Sequence, residues 1–540
     1  MAPRRGCGRL TLPWDGAETG CAMSWEPEVE ELRRREALAR EMGGPERVQR
    51  QHAAGRLTVR ERIERLLDPG SFEEVGALAG FAAYEDGNLT SFVPSNILAG
   101  MGRIEQRPVV VCGDDFTVRG GAADAAIHAK QVFAERLAGE LQLPIVRLVD
   151  GTGGGGSVKS YEAIGRTYVP MNPGWELVVD NMARVPVVAA CLGPVAGLGA
   201  ARVVTSHFSV MVKETAQLFV AGPPVVRAGM GRDVDKEELG GWQIHYRESG
   251  AVDNLAETED EALTQCRRFL SYLPASVWSQ APHGRSTDAP ERREAELIAI
   301  IPRDRRKPYD MRRILALVFD RDSVFEIGAG YGRSLITALA RLDGYAVAVL
   351  ASDPMVYGGG LTAAASDKMT RFCDLADTFH LPVVHLVDQP GFVIGVEAER
   401  AGTIRRGVRA LAAVYQAETP WFSVLVRKVF GVAGAAHGNA ARLNLRVAWP
   451  SGDWGSLPLE GGIEAAYRRD LEAASDPEEL RRDILARLEA VRSPLRTAES
   501  FGIERIIDPR DTRRLLCDWV PLAYEVAKTK LGPRAHGMRP

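Results

Sequence analysis

The sequence predicts an α/β protein built from two related halves, and three observations predict it. Residues 108–150 and 346–388 match without a gap at an offset of 238. Within each copy, β-branched apolar runs alternate with an amphipathic helical pattern. The runs IVRLV at 145–149 and VVHLV at 383–387 are nearly all apolar, as a strand covered on both faces must be.

The copies share Asp115/Asp353, Gly120/Gly358, Gly121/Gly359, Lys130/Lys368, Pro144/Pro382 and Asp150/Asp388. On the helix between them, Ala134, Leu137 and Leu141 recur as Phe372, Leu375 and Phe379, a spacing that makes this face core rather than site. Each copy therefore reads strand, Gly-Gly turn, helix, strand. Residues 23–285 are expected to form the N-terminal half and 286–540 the C-terminal half. Residues 1–22, which precede a helix beginning SWEPEVEE, are expected to be a loose extension, with Met23 a second candidate start.

Composition excludes several classes. The 540 residues are 45% hydrophobic and 26% charged with a formal charge of −4, so bulk electrostatics recruits neither nucleic acid nor membrane. Seven cysteines lie scattered without a C-x-x-C pair, which fits a reducing cytoplasm and supports neither a disulfide framework nor a metal site. Arg4 and Arg5 are followed by no apolar run, so a secretory signal is not expected.

Residues 185–201, VPVVAACLGPVAGLGAA, carry no charge, yet Pro186, Gly193, Pro194, Gly197 and Gly199 break them too often for a spanning helix. They read as a buried strand, a turn, and bare backbone that something can approach. The stretch has a twin: residues 186–197 lie over 420–431 (PWFSVLVRKVFG) at an offset of 234. Unpaired N–H groups at a turn entering a helix point the same way and make a pocket for an oxygen that gains negative charge. A tight turn is the bland alternative, but finding the feature at equivalent places in both halves favours the pocket.

Other features carry less. The loop EIGAGYG at 326–332 resembles a nucleotide-binding turn, but the segment expected to match it, 94–102, is not Gly-rich in that way, so no nucleotide site is expected. The chain lacks a G-x-x-x-x-G-K-[ST] loop. Gly153 to Gly156 suit either a flexing loop or a phosphate grip. His128, His385 and His437 are isolated and read as packed or surface residues, and no Ser-His-Asp or paired-carboxylate spacing emerges.

The chain resembles the carboxyltransferase (β) subunits of biotin-dependent acyl-CoA carboxylases, of the propionyl-CoA carboxylase type. The resemblance runs from about residue 55 to the C-terminus and rests on GRLTVRERI at 55–63, DFTV at 115–118 with Gly120-Gly121, FVAGP at 219–223, EELGG at 237–241, YDM at 309–311, DQPG at 388–391, Arg427-Lys428, Trp449-Pro450 and DPRDTR at 508–513.

It implies two tandem crotonase-like halves and a hexamer of paired protomers, alone or with a paralogous β chain. The N-terminal half would face a coenzyme A thioester. The C-terminal half would face carboxybiotin on a separate carrier made with a biotin carboxylase, since no Met-Lys-Met biotinylation site is present. It also implies that the cofactor supplies the base, which accounts for the missing protein base. Carried over residue by residue, the first oxyanion pocket falls on Gly197 and Leu198 and the second on Val432 and Ala433, after Phe430 and Gly431. Gly153, Gly154 and Gly155 replace the family's Asp-Ser-Gly-Gly-Ala-Arg loop, and the acidic residue of the acyl pocket maps near Ala435. The expected activity is acyl-CoA carboxyl transfer. The alternatives are a related decarboxylase or transcarboxylase, or a divergent subunit completing a mixed complex.

Overall fold

The computed structural model describes residues 24–151, 158, 161–162, 165–535 and 537–539. Two sheets form its frame. In the first, the strands run in space Glu73–Glu74, Ile97–Ile104, Arg107–Asp114, Ile145–Val149, Val187–Cys191, Phe208–Val212 and Asn254–Ala256. The second places Phe325–Ile327, Leu335–Leu342, Tyr345–Ser352, Val383–Gln389, Trp421–Phe430, Asn444–Ala448 and Arg505–Ile506 in the corresponding order. The first three strands of each sheet are antiparallel and the rest parallel. Strands Ile145–Val149 and Val187–Cys191 are buried along their whole length, as their nearly all apolar pattern requires, and the one charge among them, Arg147, is paired with Glu135.

Register keeps the internal repeat. Ile97 pairs with Asp114 and Leu335 with Ser352; Val110 pairs with Ile145 and Ala348 with Val383. Both antiparallel hairpins turn on two residues of positive φ, Glu105-Gln106 and Asp343-Gly344, the conformation that matches strand twist. An upstream carboxylate caps each turn: Asp68 accepts from the amides of Glu105 and Gln106, and Asp320 from those of Asp343 and Gly344.

The repeat also reaches further upstream than residue 108, at a larger offset. Arg60 pairs with Glu74 at 3.0 Å and Arg312 with Glu326 at 2.7 Å, both pairs related by 252 positions. The hairpin Gly80–Glu85 with Asn88–Pro94, mostly exposed and without counterpart in the second half, absorbs the difference.

This corrects the expected partner of the glycine loop at 326–332. Glu73 pairs with Met101 where Phe325 pairs with Leu339, so the matching segment is residues 74–80, not 94–102. Gly76 and Gly328 share φ +68, and each sits beside the aliphatic stem of the repeat lysine, Lys130 or Lys368. Lys368 Nζ donates to the Gly328 and Tyr331 carbonyls at 2.7 and 2.9 Å. The loop leads into the strand Leu335–Leu342 rather than into a helix, which removes the strand-turn-helix context a nucleotide site needs.

Its other glycines are packing requirements. A Cβ on Gly330 would lie 2.4 Å from the Tyr246 ring, and one on Gly250 would lie 2.5 Å from the Tyr331 ring. The two tyrosines thus interlock the halves, and the core continues across: Phe208 stacks on Phe269 and meets Phe325 edge-on. Gly330→Ala is therefore expected to cost about 1–3 kcal/mol by overpacking, read as a lowered thermal midpoint; an unchanged midpoint would show that the Tyr246 ring moves aside freely.

Candidate active site

The stretch 185–201 folds as its composition dictates. Val187–Cys191 lies inside the first sheet, and the Leu192 amide still reaches the Val149 carbonyl at 3.0 Å. The chain then leaves the sheet. Pro194–Ala196 forms a separate parallel pair with Gln217–Phe219, after which Gly197 (φ 61°, ψ −123°) turns it into the helix Leu198–Val204.

Its glycines have different causes. A Cβ on Gly193 would sit 2.1 Å from Asp150 Oδ1 and 2.5 Å from Arg56 Nη1, so this position is empty to make room for an ion pair. A Cβ on Gly199 would lie 3.0 Å from Val195. Nothing crowds Gly197; its backbone conformation alone excludes a side chain.

Asp150, at the end of the strand Ile145–Val149, has no exposed surface. It accepts from Arg56 at 3.2 Å and from Arg62 at 2.8 Å, and Arg62 makes a second, bidentate pair with Glu259 at 2.7 and 2.8 Å. Two cations and two anions balance here, and pairing of this kind is the condition under which buried charge is tolerated.

The second half repeats the plan with other residues. Trp421–Phe430 follows Val383–Gln389 in register until Val387 opposite Leu425, then slips so that Gln389 faces Val429. At that irregularity Asp388 accepts from Tyr309 Oη at 2.9 Å, from Arg427 Nη2 at 2.9 Å and from the Lys428 amide at 2.9 Å. Arg427 also lies over the Tyr309 ring at 4.7 Å. Burial and the neighbouring Asp388 push the Tyr309 hydroxyl well above its usual range, so it stays a donor. Beyond the pin, Lys428–Phe430 pairs with Asp453–Gly455, and Gly431 (φ 61°) opens the helix Gly431–Ala435.

Gly197 and Gly431 thus hold the same positive φ at repeat-equivalent places, each at the start of a short helix. Among the described residues the amides of Leu198, Val432 and Ala433 have no acceptor. Gly197 has its place but not the expected role of donor: its N–H is taken by the Phe219 carbonyl at 3.2 Å. Neither Leu198 nor Val432 has positive φ, so a branched side chain is accommodated at both without strain. Those side chains are exposed, 38% and 56%.

Phe430 is buried and wedges the turn rather than facing solvent, Ala433 is buried, and Ala435 is exposed. Gly153, Gly154 and Gly155 lie outside the described residues.

Burial pushes His207 and His385 down to about 3 and also lowers His437. His207 accepts from the Val187 amide and donates to the Met182 carbonyl, so both ring nitrogens are committed to structure. His128 meets the Pro173 carbonyl at 2.7 Å on the surface. The five described cysteines are buried free thiols, and among the described residues no cluster of His, Cys, Asp or Glu is arranged to hold a metal ion.

The two buried carboxylate clusters are what sequence reasoning missed. Asp150 and Asp388 were visible as a shared repeat pair, and that was the signal. Asp388→Asn, which strands Arg427 in a dry site, is expected to cost about 3–5 kcal/mol, whereas an apolar pair at 388 and 427 should recover much of it. Thermal unfolding of the single and double variants checks this; equal losses in both would assign the cluster no electrostatic role.

Comparison with known proteins agrees with this architecture. Residues 50–538 match the carboxyl transferase domain family. The chain is 32% identical over 534 residues to the carboxyltransferase subunit of propionyl-CoA carboxylase from Haloferax mediterranei, covering 96% of this chain and 100% of that one. It is 30% identical to the α subunit of methylmalonyl-CoA decarboxylase from Veillonella parvula, covering 95% and 99%. A crystal structure of the transcarboxylase 12S hexamer with methylmalonyl-coenzyme A bound superposes with a TM-score of 0.84 at 32% identity, covering 96% of this chain and 99% of that one. The chain belongs to the carboxyl transferase family.

Proposed function

We propose that this carboxyl transferase moves a carboxyl group between carboxybiotin on a separate carrier and the α-carbon of an acyl-CoA thioester. The observation that carries the reading is the pair of equivalent turns at Gly197 and Gly431, each followed by amides that no described group accepts. Removing the α-proton of a thioester leaves negative charge on the carbonyl oxygen, and preorganised N–H donors stabilise that charge. The Leu198 amide is assigned to the thioester oxygen. The amides of Val432 and Ala433 suit a ureido oxygen, and carboxybiotin, when bound, supplies the carboxyl group and the basic nitrogen.

The chain's own work is to hold these donors still and keep their surroundings neutral. Asp150 and Asp388 anchor the approaches, and the buried histidines stay uncharged. The direction of transfer follows the carrier and the thioester offered, since carboxylation and decarboxylation pass through one enolate. The chain is assigned to a hexamer, the assembly of the 12S relative, built here from paired protomers.

The test is transfer of labelled carboxyl from a carboxylated biotin carrier to a panel of acyl-CoA thioesters. Exchange with at least one thioester is expected; none, with an active carrier present, overturns the reading. Leu198 occupies the first position of its helix, where proline is tolerated. Leu198→Pro, which lacks the N–H, should lower kcat/KM by about 10²–10³-fold with the thermal midpoint nearly kept, and Leu198→Ala, which retains it, should not. Equal activity of the two variants would remove Leu198 from the site.

A further inference from the structure

Each pocket amide lies at the near end of a very short helix, and the direction of a short helix is set by what holds its far end. The helix Leu198–Val204 has seven residues and Gly431–Ala435 has five. With so few internal bonds neither is stable by itself. Their last carbonyls have no partner inside the helix and must be tied to something outside it.

In the first half that tie is Arg147. It stands in the middle of the strand Ile145–Val149 and has no exposed surface. Its Nη1 donates to the carbonyls of Arg202 and Thr205, at 3.1 and 2.6 Å, where the helix Leu198–Val204 ends. The rest of the guanidinium is committed: Nε and Nη2 donate to Glu135 at 2.8 and 2.9 Å. Glu135 also accepts from Arg202 at 3.2 Å and from Asn181 at 3.0 Å. Burial raises the Glu135 carboxyl, but the two guanidiniums outweigh it and hold it at about 2, so the Arg147 fork is gripped by a full charge. A cation at this end also complements the helix dipole.

The second half makes the same tie with other residues. Arg147 faces Ala189 across its strand pair, and at the equivalent place His385 faces Ser423. Here the donor comes from the partner strand. Ser423 Oγ donates to the His437 carbonyl at 2.6 Å, and His437 Nδ1 donates to the Gly434 carbonyl at 2.7 Å within the helix Gly431–Ala435. His385 lies against the same His437 carbonyl and is kept uncharged by burial. A Cβ on Gly434 would lie 2.8 Å from the Val429 main chain, so the helix rests directly on the strand that leads into it. A connection rebuilt from different side chains at one place in both halves points to one mechanical requirement.

We propose that Arg147 and Ser423 are positioning residues: from the centre of each sheet they hold the far ends of the helices Leu198–Val204 and Gly431–Ala435, and so aim the Leu198 amide and the Val432 and Ala433 amides. This rests on the carboxyl-transfer reading above. Each residue acts through the helix it holds and through no contact with a reacting group.

The experiment makes two measurements on the purified full-length chain. Hydrogen–deuterium exchange read by mass spectrometry follows the two helices and needs neither carrier nor thioester. Arg147→Lys keeps a cation beside Glu135 but lacks the fork, and should speed exchange of residues 198–205 by about tenfold while 431–437 stay unchanged; Ser423→Ala should do the reverse. The second measurement is a double-variant cycle on labelled carboxyl exchange. Arg147→Lys should lower kcat/KM by about tenfold in the native background, and by less than about twofold in Leu198→Pro, which lacks the amide that Arg147 aims. A merely structural role costs the same in both backgrounds. Equal losses in the two backgrounds, or exchange that rises in both helices alike or in neither, overturn the proposal. If Arg147→Lys melts early, Ser423→Ala, which removes a single hydroxyl, decides by its own exchange contrast. If the wild type transfers carboxyl to no thioester, the reaction reading fails by itself, and the exchange contrast still decides whether the two residues hold the helices.

Discussion

A buried carboxylate at the end of the second parallel strand governs each half of this protein. Asp150 and Asp388 have no exposed surface, so each needs a cation and hydrogen-bond donors close by. In the first half, Arg56 and Arg62 come from the segment before the sheet, and Glu259 enters from the far end to balance them. The second half uses Arg427 from the next strand and Tyr309 from upstream. One constraint has two solutions. The neighbouring backbone bends accordingly: Gly193 is bare because the ion pair occupies the space of a side chain, and Trp421–Phe430 slips register where Asp388 takes the Lys428 amide.

The two glycine turns lie beyond short outlying strand pairs in both halves. In both halves the strand beside the carboxylate leaves the main sheet, pairs with a short outlying strand, and turns through a glycine at φ 61° into a helix. A helix that begins this way leaves its first amides unpaired, and an oxygen acquiring charge is the ligand such a turn favours. The outlying pairs also settle which amides are available. Gly197 spends its N–H on Phe219 to fix the turn, and the Leu198 amide after it has no acceptor among the described residues.

Much of the frame was legible in sequence because the strands at 108–150 and 346–388 are related without insertion, and buried parallel strands advertise themselves by continuous apolar runs. The upstream part was not, because the hairpin at 80–94 moves the offset to 252 and hides Arg60/Arg312 and Gly76/Gly328 from an ungapped match. The carboxylate clusters were invisible for a different reason. Arg62 lies 88 positions from Asp150 and 197 from Glu259, and no local pattern relates residues so far apart. The glycines look alike in the sequence, yet Gly193 serves an ion pair, Gly330 a tyrosine ring and Gly197 a backbone angle. In 185–201 a packing glycine and a turn glycine are therefore interleaved.

The departures from the family pattern take on a definite meaning in this light. Leu198 and Val432 occupy equivalent positions, each one residue past the positive-φ glycine, and both have ordinary φ. A glycine at such a place is not required by the backbone, so exchanging it for a branched residue leaves the donor where it was. What changes is volume at the mouth. Both side chains are exposed, in contrast to the buried strands that lead to them. A branched residue stands in both halves while the turns and the buried carboxylates stay paired. The scaffold fixes the backbone turn, and the residue after each glycine sets the volume beside it.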